Sequence, residues 1–288
     1  TRGLIAEYDA GRGVVTVWGP TKIPYFNRQI LASMLAIDED RIHFVEPDVG
    51  GSFGSRGEFY PEDLLIPHLA MRLGRPVGWI EDRREHFLSV THSREQYWEL
   101  ALALDRNGLV LGVDATLVSD MGAYLHVTTV PTLAAAHFPG PYRLPNYRCR
   151  VSCVMTNKSP NATLRGPGLY ESNFVRERAI DLAAAELQMD PAELRLRNLI
   201  LPAEMPYSVG TDKYGAPTVY DTGDFPSVFR RALERFGYRE LLDSSQRETA
   251  DPDIRVGVGL ACIVEPSGWG PLESAKVQVT PAGNVQVL

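Results

Sequence analysis

The sequence is poor in the residues that mark several common classes of protein. Only three cysteines occur in 288 residues, Cys149, Cys153 and Cys262. Three cannot build a disulfide framework, and none stands in a CxxC or Cys/His spacing that would hold zinc or an iron–sulfur cluster. Such sparing use fits a reducing compartment, and the expected location is cytoplasmic. Basic residues are outnumbered, 29 against 36 acidic, for a formal net charge of −7. No dense Lys/Arg run breaks that balance, so a nucleic acid, which requires a clustered basic surface, is not the expected partner. No apolar run approaches the ~20 residues of a membrane-spanning helix, and no charged-then-apolar stretch opens the chain as a secretory signal would. The histidines, at 43, 68, 86, 92, 126 and 137, form no ligand-spaced pair on one element. Cys149 and Cys153 are expected as buried thiols on one face of a strand.

What is present is a long chain, 44% hydrophobic, with enough apolar surface for a sizeable core and more than one packing unit. Alternating runs predict strands over 14–18, 41–46 and 76–80, a long hairpin over 94–119 turning at "DRNG", and a strand through "YRCRVSCVMT". Helical periodicity predicts a helix over 24–36 with Phe26, Ile30, Met34, Leu31 and Leu35 inward, and one over 61–73 with Leu65, Leu69 and Leu73 inward and a kink at Pro67. Helices are further expected across 170–200, with Val175, Ala179, Leu182, Ala183 and Leu187 as a stripe and "DPAEL" as an N-terminal cap, and near 224–236. Strands are expected to return after about 256, and "EDRREHF" reads as a solvated turn and helix. The pattern is α+β, helices laid on mixed sheets. The chain opens inside an alternating run without methionine and stops within a hairpin, and "EYDAGRGVVTVW" echoes "VQVTPAGNVQVL". That echo suits two related halves, the first over residues 1–250 and the second begun over 251–288, or else no more than the likeness of any two short β-hairpins.

Two loops stand out. In "GGSFGSRGEFYPE" four glycines, Gly50, Gly51, Gly54 and Gly57, fall within eight residues around Phe53. A strand, a glycine loop and a helix invite a dinucleotide fingerprint, but the spacing is not Gly-x-Gly-x-x-Gly and no Gly-Lys-Ser/Thr follows. The residues themselves leave two readings: a backbone bare enough to approach a ligand closely, or a tight connection with Phe53 as a core plug. In "NATLRGPGLYESNFVRER" a rigid Gly/Pro turn holds Arg165 just before a helix, a place suited to an anion, or to an ordinary exposed arginine.

Taken in order, "EPDVGGSFGSRGEFYPED", "RPVGWIEDRREHF", "SDMGAY", "YRLPNY", "TNKSPNATLRGPGLYESNFVRERAIDLAAAEL" and "DPAELRLRNLI" resemble the molybdopterin-binding large subunit of the xanthine dehydrogenase and aldehyde oxidase family of molybdenum hydroxylases. The resemblance runs from about residue 14 to Leu288. It implies an α+β molybdenum cofactor-binding domain built from two related halves. Gly50 and Gly51 would shape the loop, Phe53 and Gly54 would touch the molybdenum–pterin region, and Arg165, followed by Gly166, would lie beside the metal. Lys22 takes the place of a glutamine that faces the metal's apical oxygen in the family. The implied cofactor is molybdenum-molybdopterin, bare or as the cytosine dinucleotide. The implied reaction is hydroxylation of an aldehyde or N-heterocycle with oxygen from water. Electrons would leave through [2Fe-2S] clusters and FAD on partner domains or subunits, since this chain has neither cluster cysteines nor a Rossmann fingerprint.

The departures narrow what carries over. The family's glutamate base falls beyond Leu288, and Glu58 and Glu62 read as supporting or helix N-terminal carboxylates. Arg56 replaces the usual lysine of the glycine loop, and Leu164 replaces the usual aromatic. Gly166 stands where the carbon monoxide enzymes carry cysteine, which argues against a copper–molybdenum site. Pro167 stands where purine enzymes place a phenylalanine clamp. Two rival readings are a non-catalytic module that binds or delivers molybdopterin and, less favoured by the failed spacing, a nicotinamide-dependent dehydrogenase.

Overall fold

The computed structural model describes residues 1–21, 23–212, 215–245, 253–254, 256–265 and 275–287. Lys22 and the expected boundary near residue 250 lie outside the described residues.

The N-terminal layer is a four-stranded mixed sheet in the order β3-β2-β1-β4. β1 (Gly3–Asp9) and β2 (Val14–Trp18) form an antiparallel hairpin. α1 (Pro24–Leu35) carries the chain over to β3 (Ile42–Val45), which pairs with β2 in parallel. α2 (Pro61–Leu73) then leads to β4 (Val77–Ile80), antiparallel to β1. Both helices lie on one face of the sheet, where Leu31, Ala32, Ile66 and Ala70 pack on Leu4, Ala6, Val15, Val17 and Ile42.

The inward faces of these helices are only partly those expected from periodicity: Leu31 and Leu35 do pack on the core. α1 buries Asn27, Leu31 and Ala32 while Phe26 and Met34 are exposed; α2 buries Ile66, Pro67 and Ala70 while Leu65 and Leu73 are half exposed. The alanines allow the two helices and the sheet to approach closely, and the bulkier side chains turn to the flanks. Nor does Pro67 interrupt α2, which runs unbroken through it.

The second sheet has the order β5-β6-β7. After the short helix α3 (Arg83–Ser89), β5 (Gln96–Leu104) and β6 (Val110–Asp120) form the long antiparallel hairpin. α4 (Thr129–His137) crosses to β7 (Tyr147–Val154), parallel to β6. Phe138, stacked between Trp98 and Tyr147, is the centre of this layer. On β7, Cys149 is half-buried and Cys153 exposed, so the pair are not the buried thiols the sequence suggested; β7 is an edge strand whose far half faces outward.

α5 (Leu169–Glu186) and α6 (Pro191–Asn198) follow, with Asp190 capping α6 through the amides of Ala192 and Glu193. Of the apolar stripe expected on α5, Val175, Ala183 and Leu187 pack on the core, and the face is mixed. Ile180 and Ala184 are buried beside Arg176 and Glu177, and Leu182 is exposed. The charges are tolerated because they are paired. Arg195, wholly buried on α6, binds Glu177 and Asp181, while Arg176 and Arg195 donate to the carbonyls of Cys262 and Leu260. A small hairpin, β8 (Tyr207–Thr211) and β9 (Pro217–Tyr220), then α7 (Phe225–Phe236) and α8 (Tyr238–Ser245) come next. Residues 256–265 form no strand; among the described residues strands return at β10 (Val277–Val279) and β11 (Val285–Val287). The architecture is α+β, as the pattern indicated.

Candidate functional site

Both singled-out loops occupy equivalent places in the fold. The glycine loop leaves β3, parallel to β2, and leads to α2; the Arg165 loop leaves β7, parallel to β6, and leads to α5. Loops beyond the carboxyl ends of parallel strands are where α/β layers bind ligands.

The two loops are in direct contact. The Arg165 amide donates to the Phe53 carbonyl at 2.8 Å, and the Thr163 amide reaches Glu58 Oε1 at 3.4 Å. A Cβ on Gly54 would lie 2.5 Å from the Thr163 carbonyl oxygen, so only glycine permits this approach. Tyr60, 4% exposed, anchors the far end of the glycine loop, donating to the Ser55 carbonyl at 2.7 Å and lying 3.0 Å from Thr91 Oγ1. Arg2 stacks over the Tyr60 ring at 3.8 Å. Arg56 binds the Thr1 carbonyl, and Glu62, in the first turn of α2, pairs with Arg2.

Phe53 is not a core plug. It is 63% exposed, and its φ of +55° lies in the left-handed region, which disfavours every residue but glycine. Ser52 Oγ is buried without a hydrogen-bond partner, and nothing lies within 4 Å of where a Cβ on Gly50 would stand. Gly51 has φ +149° with the Phe53 ring folded against it, and Gly166, at φ +66°, is covered by the Tyr170 ring. Arg165 is exposed, and its guanidinium has no partner among the described residues.

Reasoning from sequence missed Arg94 and Glu171. Arg94 donates to the Arg165 carbonyl and to Glu171, and lies over the Tyr170 ring. Glu171 is in the first turn of α5. Burial pushes its carboxyl up from the usual range, against backbone groups of that turn and Arg94. The N-terminus of α5 thus carries its own carboxyl group, Glu171. An acid in the first helical turn is a readable signal; the backbone conformation that aims Arg94 is not.

The segment "EDRREHF" is the turn and mostly exposed short helix expected, except at its first residue. Glu81 is 1% exposed and is bound by Arg2, which precedes the neighbouring strand β1, and by His86. Among the described residues no three His, Cys, Asp or Glu side chains form a metal-ligand set.

A model of the molybdopterin cofactor-binding domain matches residues 1–199. The chain belongs to that family. It is 38% identical, over 99% of its length, to the 6-hydroxypseudooxynicotine dehydrogenase complex subunit gamma of Paenarthrobacter nicotinovorans, and spans 36% of that protein. It is 29% identical to the carbon monoxide dehydrogenase large chain of Hydrogenophaga pseudoflava, over 99% of this chain and 37% of that one. The fold matches the crystal structure of quinoline 2-oxidoreductase from Pseudomonas putida 86 with a TM-score of 0.79 at 34% identity, covering 85% of this chain and 31% of that one. The resemblance to molybdenum hydroxylase large subunits is therefore borne out, and the chain spans little more than a third of the relatives it matches.

The loops of this molybdopterin-binding domain fit such a group. The two touching loops carry a buried hydroxyl without a partner, Ser52 Oγ, open space over Gly50, the exposed Phe53 ring and the exposed Arg165 side chain, features that suit such a group.

Proposed function

We propose that the polypeptide carrying this chain is a hydroxylase that binds molybdenum-molybdopterin, bare or as the cytosine dinucleotide, and oxidises an aldehyde or N-heterocycle with oxygen from water. The observation that carries this reading is Phe53. A large ring held outward in an unfavourable backbone conformation contributes little to the core, and such strain collects at ligand sites.

When bound, the cofactor supplies the redox chemistry. The chain's own residues orient and enclose it. The backbone at Gly50, Gly51 and Gly54 lets it come close, the Phe53 ring walls it, and the Arg165 guanidinium offers a planar fork of donors to an oxyanion of cofactor or substrate. Gly166 keeps the Arg165 turn tight, and Lys22 would add a cation near the same group. The substrate class follows from what the turn lacks. Gly166 provides no thiol for a second metal and Pro167 no aromatic clamp for a purine. Similarity to proteins named for pseudooxynicotine and quinoline favours a heterocycle or a related carbonyl compound. Partner domains or subunits with [2Fe-2S] clusters and FAD would take the electrons, in the cytoplasm, and a second related half starting near residue 251 would complete the pocket.

The test is elemental analysis of the full-length enzyme together with turnover of aldehydes and N-heterocycles in ¹⁸O water. Near-stoichiometric molybdenum and ¹⁸O in the product are expected, whereas the 288-residue chain alone should hold little metal. Absence of molybdenum from the full-length protein overturns the reading, and molybdenum without turnover of any substrate would make it a binding or delivery module.

A further inference from the structure

Arg94 lies just before β5 with a φ of +76°, an unfavourable conformation for any residue with a side chain. The chain is brought there by pairing with the approach to the Arg165 loop: the His92 amide donates to the Pro160 carbonyl at 2.8 Å and the Ala162 amide to the His92 carbonyl at 2.9 Å. From this position one guanidinium makes three contacts with the segment around Arg165. Nη2 donates to the Arg165 carbonyl at 2.6 Å, Nη1 to Glu171 Oε2 at 3.2 Å, and Cζ lies 4.5 Å from the centre of the Tyr170 ring. The Glu171 side chain is 5% exposed, and its Oε1 is without a hydrogen-bond partner. Ser93 Oγ and Gln96 Nε2, on either side of Arg94 in sequence, are buried without partners as well. Unpartnered buried polar atoms on Glu171 and on residues beside Arg94 in sequence accompany a strained arginine, which is not what packing alone selects.

We propose that Arg94 is a positioning residue, which fixes the Arg165 turn against the Phe53 loop and so sets where the Arg165 guanidinium points. Its consequence for turnover rests on the function proposed above; its mechanical role rests on the contacts alone. The competing role is plain neutralisation of a buried carboxylate. The two differ in which contact matters. Neutralisation needs only the Arg94–Glu171 pair, whereas positioning needs the bond to the Arg165 carbonyl, which carries no charge.

Hydrogen exchange in the full-length enzyme separates them. The amides of Arg165, Leu169 and Ser172 donate to the carbonyls of Phe53, Gly166 and Gly168 and report on the turn directly. In Arg94→Met these amides should exchange at least tenfold faster while amides of the β5–β6 hairpin keep wild-type protection. In Arg94→Met/Glu171→Gln, where no buried charge is left unpaired, the fast exchange at the turn should persist. kcat should fall in both variants with molybdenum content retained. Wild-type exchange at the turn in Arg94→Met, a uniform rise across the chain, or restored protection in the double variant would overturn the proposal. If the wild-type enzyme contains no molybdenum, the proposed function fails while the exchange result still decides the role of Arg94.

Discussion

The Arg165 amide donates to the Phe53 carbonyl at 2.8 Å, a bond that joins two loops far apart in the chain. The bond uses only backbone. Both side chains stay exposed, the Phe53 ring on one loop and the Arg165 guanidinium on the other.

Because the structural tie runs through the Arg165 main chain, its side chain can be removed at little cost. Arg165→Ala should change stability by no more than about ±0.5 kcal/mol, the usual range for an exposed residue. Turnover of the full-length enzyme should fall by orders of magnitude. Denaturant melts beside kcat measurements check this, and normal turnover with normal cofactor content would remove Arg165 from the site.

Phe53 offers a test of backbone strain. Left-handed φ costs a residue with a Cβ about 1–2 kcal/mol, while glycine's extra freedom in the unfolded chain costs about 0.5–1 kcal/mol. Phe53→Gly should therefore be as stable as Phe53→Ala or more so, by up to about 1.5 kcal/mol, although glycine is ordinarily the worse replacement. Both should lose turnover with the ring. An alanine variant clearly more stable than the glycine one would contradict the left-handed conformation at 53.

Much of this was legible in the sequence, and the exceptions share a cause. Element positions such as α2 over 61–73 and the β5–β6 hairpin follow from local periodicity and turn residues. Which face of a helix turns inward depends on what it meets, so Ala32 and Ala70, rather than Phe26 and Leu65, were chosen by the approach of α1 to α2. Gly54 and Arg165 could each be singled out from their own loops, but their contact could not, since nothing local encodes that β3 and β7 deliver their loops to one place. Arg94 and Glu81 were unreadable for the same reason: their partners are remote in sequence and tertiary structure alone pairs them.

The Arg2–Glu81 pair predicts the response to acid. Burial pushes the Glu81 carboxyl up, but hydrogen bonds from Arg2 and His86 outweigh it and hold the pKa down to about 2, from 4.5. A depressed acid contributes its stability fully above the unfolded value and loses it as pH falls. Melting temperature should therefore drop between about pH 4.5 and 2. Glu81→Gln should flatten that slope and cost about 3–5 kcal/mol at neutral pH, because the Arg2 guanidinium stays buried without its main charge partner. Melts of both proteins across this range decide it; an equal slope in the variant assigns the acid sensitivity elsewhere.

Gly50 and Gly54 lie in one loop but are required for different reasons, and single alanines should separate them. At Gly54 the backbone has φ +111°, and an added Cβ would meet the Thr163 carbonyl oxygen at 2.5 Å and Leu164 Cα at 3.1 Å. Both obstacles are main chain, so they can yield only if the loops part and the Arg165–Phe53 bond breaks. Gly54→Ala should cost about 1–3 kcal/mol and lose cofactor as a result. At Gly50 nothing lies within 4 Å of the new methyl group and φ is not positive, so the fold gives no reason for glycine there. Gly50→Ala should be neutral or more stable by about 0.4–1 kcal/mol, through the stiffer unfolded chain. If the space over Gly50 is where the pterin lies, that same methyl group should still lower molybdenum content. Elemental analysis and melts of both full-length variants give the answer: Gly54→Ala at wild-type stability would refute the loop contact, and Gly50→Ala with full molybdenum would take Gly50 out of the cofactor wall.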